Sequence, residues 1–147
     1  MSIAIIRHRR ENLKKCSLRG LETRGDLSFY TYPSVDLPHF TGFLILKIGA
    51  PPLTEKDQMR NLLLIDATWR LAQTIENHLP ASLEARSLPA SFRTAYPRRQ
   101  TDCPDPLAGL ASVEALYLAY RILGKPADDL LDHYYWKEPF LRLNQLP

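Results

Sequence analysis

Leu62-Leu63-Leu64-Ile65 is an unbroken run of branched apolar residues that stops abruptly on Asp66. Such a run, without polar alternation, is the pattern of a strand buried on both faces, as in parallel sheets. Beyond it the pattern changes period. Trp69-Arg70-Leu71-Ala72-Gln73-Thr74-Ile75-Glu76 has helical spacing, with Trp69, Ala72 and Ile75 or Gln73 on neighbouring turns, and Thr68 stands where a cap belongs. The pattern thus predicts a strand, a carboxylate at its C-terminal end, and a helix. In open α/β sheets that turn is where ligands bind.

The flanking patterns extend the alternation. Strands are predicted at Ser2–Ile6, at Asp26–Tyr32 and, most strongly, at Phe43-Leu44-Ile45-Leu46-Lys47-Ile48, which Gly49-Ala50-Pro51-Pro52 ends. A helical turn fits within Glu11–Leu21. Thr54-Glu55-Lys56-Asp57 is a capping-box pattern opening a short helix to about Arg60. Leu79 to Pro89 reads as a connection, and Ser91–Thr94 as a short strand. Pro97 to Gly109 is an irregular loop with Pro97, Pro104 and Pro106, of a length usually reserved for function or motion. A helix then opens at Ala111 or Ser112, carries Val113, Leu116, Ala119 or Tyr120, and Leu123 on one face, and ends at Gly124 with Pro126 beyond. A last helix is expected from Ala127 to about Phe140, with Leu130, Leu131, Tyr134 and Tyr135 as its buried stripe. The fold class is α/β, a parallel sheet flanked by helices.

Composition narrows the class. The chain of 147 residues, 45% hydrophobic and 24% charged, reads as one globular domain able to bury a real core. We divide it into a basic N-terminal part, 1–40, and a part, 41–147, expected to hold the ligand. No apolar run reaches the roughly 18 residues of a membrane span. Arg7-His8-Arg9-Arg10 follows the apolar N-terminus rather than preceding it, the wrong order for an export signal. Cys16 and Cys103 make neither a disulfide framework nor a metal motif, and His8, His39 and His78 have no partner at metal spacing. A cytoplasmic protein without a metal or a membrane partner is expected. The net charge of +3 is unevenly spread. Arg7, Arg9, Arg10, Lys14, Lys15, Arg19 and Arg24 crowd the first 25 residues, and Arg86, Arg93, Arg98 and Arg99 lie within 85–100 without an acid between them. Two basic segments on one small domain fit either RNA contact or ordinary solvated charge.

Three side chains carry alternative readings. Asp66 either caps a helix or serves a crevice at the sheet edge. Glu114 either complements the macrodipole of its helix or faces the same crevice. His133, among aromatics in Asp132-His133-Tyr134-Tyr135-Trp136, is either packed or a ligand. Glycine-rich dinucleotide and phosphate loops are lacking, as is a nucleophile elbow, which argues against nucleoside triphosphates and serine hydrolysis.

Five segments in order bear a family resemblance. Asp66-Ala67-Thr68-Trp69 resembles the Asp-x-Ser/Thr-Trp signature of the superfamily joining DTW-domain proteins and rRNA aminocarboxypropyltransferases. Arg86-Ser87-Leu88-Pro89 resembles its Arg-x-Leu-Pro element, and Leu110-Ala111-Ser112-Val113-Glu114-Ala115 its Leu-Ser-Thr-x-Glu-Ala motif. Tyr135-Trp136-Lys137-Glu138-Pro139-Phe140-Leu141-Arg142-Leu143-Asn144 resembles the ending of the rRNA branch, and Lys14-Lys15-Cys16-Ser17 its Pro-Lys-x-Cys-Thr/Ser element. The stretch Arg93-Thr94-Ala95-Tyr96-Pro97-Arg98-Arg99-Gln100 leans instead toward the DTW, tRNA-directed branch.

The resemblance implies a SPOUT-like fold with a C-terminal trefoil knot, a topology no pattern argument would propose. It implies S-adenosylmethionine as donor of the 3-amino-3-carboxypropyl (acp) group, with a uridine or pseudouridine ring nitrogen in RNA as acceptor. rRNA, and with it ribosome biogenesis, ranks slightly ahead of tRNA. Asp66, Trp69 and Glu114 are the implied catalytic residues. Ser17, Asn61, Leu88, Ala108 and Ser112 are the implied cofactor contacts, largely through the backbone at Asn61, Leu88 and Ala108. Lys14, Lys15, Arg93, Arg98 and Arg99 are candidates for phosphate contact. The alternatives are a tRNA-uridine transferase of the DTW type, a SPOUT-like RNA methyltransferase, and a non-catalytic RNA-binding domain.

Overall fold

A computed structural model describes residues 2–9, 16–34, 36–97 and 110–147. Five strands, β1 (Ile3–His8), β2 (Leu27–Tyr32), β3 (Leu44–Leu46), β4 (Leu62–Asp66) and β5 (Glu84–Arg86), form one sheet in the order β2-β1-β4-β3-β5. Every pairing is parallel. Among the described residues, three α-helices accompany it: α1 (Trp69–Asn77), α2 (Ser112–Ile122) and α3 (Lys137–Leu143).

The apolar run of β4 is buried on both faces, as its lack of alternation requires. Ile3, Ile5, Leu62 and Leu64 pack in a core with Val113, Leu116 and Tyr120 of α2 and Phe140 of α3. Ala4, Ile6 and Leu63 point the other way, into a smaller core with Ile45, Phe40 and Ile75 of α1. Side chains alternate along a strand, so Asp66 falls on the face of Leu62 and Leu64, toward α2. Chain order reverses between the central pair. From β1 the chain goes to β2 on one side, and from β4 it goes to β5 on the other, which makes the C-terminal ends of β1 and β4 the switch point of the sheet.

Several expected elements differ. The strand expected over 43–48 is regular only at Leu44–Leu46, although the amide of Lys47 still reaches Arg86 O at 2.8 Å. Its partner β5 lies in what reads as a connection, because three residues with one apolar side chain carry no periodic signal. Ser91–Thr94 is not a strand: it pairs with no neighbour, and the amide of Arg93 is taken by a side chain. Thr54-Glu55-Lys56-Asp57 does form a capping box, with Thr54 N donating to Asp57 Oδ2 at 3.1 Å, but over a single 3₁₀ turn. Thr68 precedes α1 in an extended conformation and its side chain makes no cap bond. The last expected helix is two elements, a 3₁₀ turn at Asp128–Leu131 and α3. Pro139 explains the break. It has no N–H to donate and is tolerated only in a first turn, where α3 places it. The end of α2 is as expected: Gly124 adopts φ +73°, Lys125 N bonds Tyr120 O at 2.8 Å, and Gly124 N bonds Arg121 O at 3.2 Å. Of the helical turn expected within Glu11–Leu21, the described part is a pair of turns, with Arg19 N bonding Cys16 O at 3.1 Å and Leu21 N bonding Leu18 O at 3.0 Å. Residues 11–15, the Pro97–Gly109 loop beyond its first residue, and the chain path on which a knot would depend lie outside the described residues.

Candidate active site

Asp66 ends β4 and is 5% exposed. Pairing places Arg7 of β1 beside it in register. Arg7 Nε donates to Asp66 Oδ2 at 3.3 Å, and the thiol of Cys16 donates to the same oxygen at 3.0 Å. Ser112 Oγ, at the first residue of α2, donates to Oδ1 at 2.6 Å. One buried carboxylate thus gathers the ends of two strands, the loop at Cys16 and the start of a helix.

The neighbours of Asp66 are themselves fixed. The Arg7 guanidinium lies 4.7 Å from the centre of the Phe29 ring and 3.8 Å from Glu22 Oε1, and its side chain is 11% exposed. Burial, then the adjacent Asp66 charge, pushes the Cys16 thiol up to about 12, so Cys16 stays a protonated donor at neutral pH. Ser17 Oγ accepts from Val113 N at 3.1 Å and so caps α2 from a distant part of the chain. The N-cap residue itself, Ala111, has no side-chain acceptor.

Glu114 is fully buried. Its Oε1 accepts from Ala111 N at 2.7 Å and Thr94 Oγ1 at 2.6 Å, and its Oε2 from Ala95 N at 2.9 Å and Tyr134 Oη at 3.0 Å. These four donors come from segments on both sides of residues 98–109, so the carboxylate ties both to α2.

The structure brings Asp66, Ser17 and Ser112 together. Leu88 lies beyond the C-terminal end of β5, half-buried against the α2-side core with Phe92, Ala95 and Tyr96. Arg93 is exposed in the segment that follows. Trp69 opens α1. Asn61 is not brought in. It precedes β4 at the opposite end of the strand, roughly 16 Å from Asp66 at 3.3 Å per residue, and its Oδ1 accepts from Ser2 N at 2.8 Å. Lys14, Lys15, Arg98, Arg99 and Ala108 lie outside the described residues. The ring of His133 packs over Gly20, whose φ is +93° and where an added Cβ would meet His133 Cδ2 at 2.8 Å. Arg7, Cys16, Thr94 and Tyr134 are the site residues that sequence reasoning missed. Two of them left a signal: Cys16, inside the Lys14-Lys15-Cys16-Ser17 element, and Arg7, a cation directly after the apolar run Ile3–Ile6.

On the opposite face of the sheet, a cavity of about 780 Å³ is lined by Tyr32, Pro33, Leu37, His39, His78 and Pro80 among others, without Asp66. Among the described residues no group of three His, Cys, Asp or Glu side chains gathers as a metal site, and no helix is long and apolar enough to cross a membrane.

This is a parallel sheet with a carboxylate at its switch point, faced by a helix N-terminus. The chain resembles Tsr3. One solved structure that it matches is the SAM-dependent rRNA:acp-transferase Tsr3 from Vulcanisaeta distributa, with a TM-score of 0.73 and 25% sequence identity, covering 98% of this chain and 78% of that one. No family model matches the chain, and neither does any curated protein. The motif-based placement in a SPOUT-like superfamily joining DTW-domain proteins and rRNA aminocarboxypropyltransferases is therefore corrected. The structural match is to Tsr3 rather than to a DTW-domain protein or a SPOUT methyltransferase. Short motifs, even in the right order, could not set the boundary of a family, because each constrains only a few residues.

Proposed function

We propose that this protein transfers the acp group of S-adenosylmethionine to a uridine or pseudouridine ring nitrogen in rRNA. One observation carries the reading. Asp66 and Ser112 meet at the switch point of a sheet whose fold matches that of the rRNA:acp-transferase Tsr3 along 98% of this chain.

The residues suit the group to be held. The amino-acid end of the donor carries an ammonium and a carboxylate. Asp66 Oδ1 accepts one hydrogen bond, from Ser112, and a carboxylate oxygen has capacity for a second donor. The N-terminus of α2, beginning at Ser112, favours an anion. Opposite charges of the ligand thus find opposite partners a side chain apart. Leu88 supplies apolar surface on the same side of the sheet. When bound, the donor supplies a sulfonium whose attached carbons are electrophilic. The task left to the protein is to choose among those carbons by aiming one at the acceptor.

In this reading Asp66 orients the donor's amino group, and Arg7 and Cys16 keep the carboxylate from rotating. Glu114 shapes the site without touching the reactants, since four protein donors occupy it. The acceptor base must be unpaired or flipped to reach the crevice. Arg93, with Lys14, Lys15, Arg98 and Arg99, supplies phosphate contacts, and Trp69 belongs to the same signature as Asp66.

The test is incubation with rRNA and S-adenosylmethionine labelled in the carboxyl carbon. Label in the RNA together with released methylthioadenosine supports the reading. Transfer from a methyl-labelled donor but not from the carboxyl-labelled one makes the enzyme a methyltransferase. Label in tRNA alone moves the substrate.

A further inference from the structure

The segment after Pro89 has an unusual hydrogen-bond account. A buried or half-buried main chain normally satisfies its amides through a ladder, a helix or water. Here the amides of Arg93, Ala95 and Tyr96 all go to side chains. Arg93 N donates to Asn144 Oδ1 at 2.7 Å, Ala95 N to Glu114 Oε2 at 2.9 Å, and Tyr96 N to Thr94 Oγ1 at 3.0 Å. Asn144 also returns the bond, with Nδ2 donating to Arg93 O at 2.8 Å. One carboxamide therefore grips both main-chain groups of one residue, as a neighbouring strand would. The same Nδ2 donates to Phe140 O at 2.9 Å, and Asn144 is the C-cap of α3, so the grip is rooted in that helix.

What this fixed main chain presents is a cation. Arg93 is exposed, and among the described residues it joins no ion pair and its guanidinium hydrogen-bonds only Ala90 O, at 3.4 Å. A connection with no further task could leave these amides to water. A segment locked to 51-residue-distant Asn144 instead holds its arginine ready at lower entropic cost on binding.

We propose that Asn144 is a positioning residue for RNA: its carboxamide fixes the Arg93 main chain so that the Arg93 guanidinium meets a backbone phosphate. The proposal rests on the rRNA reading above and names one of its contacts. Asn144 acts only through Arg93, which the following comparison isolates.

The experiment is a double-mutant cycle read by fluorescence anisotropy on a labelled single-stranded RNA of mixed sequence, across a salt series. Donor affinity is measured in parallel by calorimetry. Arg93→Ala is expected to weaken RNA binding roughly two- to fivefold, the size of one exposed charge contact. The salt slope should fall by about 0.7, the value for one phosphate on a single strand. Asn144→Ala should weaken RNA binding by a similar factor and leave donor affinity unchanged. The pair should be no weaker than Arg93→Ala alone, because both changes remove the same contact. Asn144→Asp keeps the acceptor for Arg93 N and loses both donated bonds. It should fall between wild type and Asn144→Ala, and it carries the cycle if the alanine variant does not fold. Multiplying effects in the pair would overturn the proposal. So would equal losses of donor and RNA affinity, or unchanged RNA binding in Asn144→Ala. Acp transfer to rRNA with an additive cycle removes Asn144 and keeps the function. A coupled cycle without acp transfer does the reverse.

Discussion

Asp66 shows how much one residue can organise. Its two oxygens take donors from Arg7, Cys16 and Ser112, each from a different element. Replacing one oxygen by an amide turns an acceptor into a donor and leaves a buried guanidinium, thiol or hydroxyl facing it. Each lost charged hydrogen bond is worth about 1.5–3 kcal/mol. Asp66→Asn is therefore expected to lose at least about tenfold in donor affinity and most of the transfer, with a native far-UV circular dichroism spectrum. Full activity in that variant would take Asp66 out of the site. Cys16 carries a pH prediction. Its folded-state pKa is raised from 9.0 to about 12, so its contribution to stability is complete below about pH 9 and is lost as pH climbs toward 12. Tyr120, pushed upward by burial and by its bond to Asp26, titrates in the same direction. Urea unfolding at several pH values from 8 to 11 should show wild type losing more stability than Cys16→Ala. Parallel curves for the two proteins would contradict the assignment.

At the scale of elements, α2 is the unit that matters, and its N-terminus is built by residues far from it. Ala111 cannot cap, so Ser17 takes one orphan amide and Glu114 reaches back for another. Glu114 then spends its remaining capacity on Thr94, Ala95 and Tyr134. Removing charge while keeping shape is the sharpest probe. Glu114→Gln replaces acceptor capacity by a donor amide in front of donors, and should cost about 2–3 kcal/mol of stability. The same variant should raise amide exchange at Ala95 and Ala111 before it affects the strands. Uniform exchange across the domain would mean that Glu114 does not secure the two stems. A carboxylate in the first turn of a helix was legible in sequence. Three of its four partners were not, because Thr94, Ala95 and Tyr134 are 19 or 20 positions away and meet it only in the folded chain.

For the whole molecule, the parallel sheet sets where a ligand can act. Both faces are covered by apolar clusters, which leaves the C-terminal edge at the β1–β4 switch point for chemistry. A ligand that binds the folded chain alone stabilises it by about 2.7 kcal/mol at a hundredfold excess over Kd. In a domain near 150 residues, each kcal/mol moves Tm by roughly 2–4 °C. Saturating S-adenosylmethionine should therefore raise Tm by roughly 5–10 °C in thermal unfolding, and Asp66→Asn should abolish most of that shift. No shift in the wild-type protein would remove S-adenosylmethionine as the ligand.

The chain's own pattern determined the central strand, the helix after it, the glycine end of α2 and the class of fold. These follow from local spacing of apolar residues and from backbone preferences, which act over a few positions. It also marked Asp66, because a carboxylate that ends a doubly buried strand has few places to go. Only the tertiary structure decided that Arg7 and Cys16 hold Asp66, that Ser17 caps α2, that Asn61 stands at the far end of its strand, and that Asn144 grips Arg93. Those contacts join residues 50 to 96 positions apart, from Cys16 with Asp66 to Ser17 with Val113. Strand order and helix packing bring them within hydrogen-bond distance. Neither leaves a periodic trace in the order of the residues.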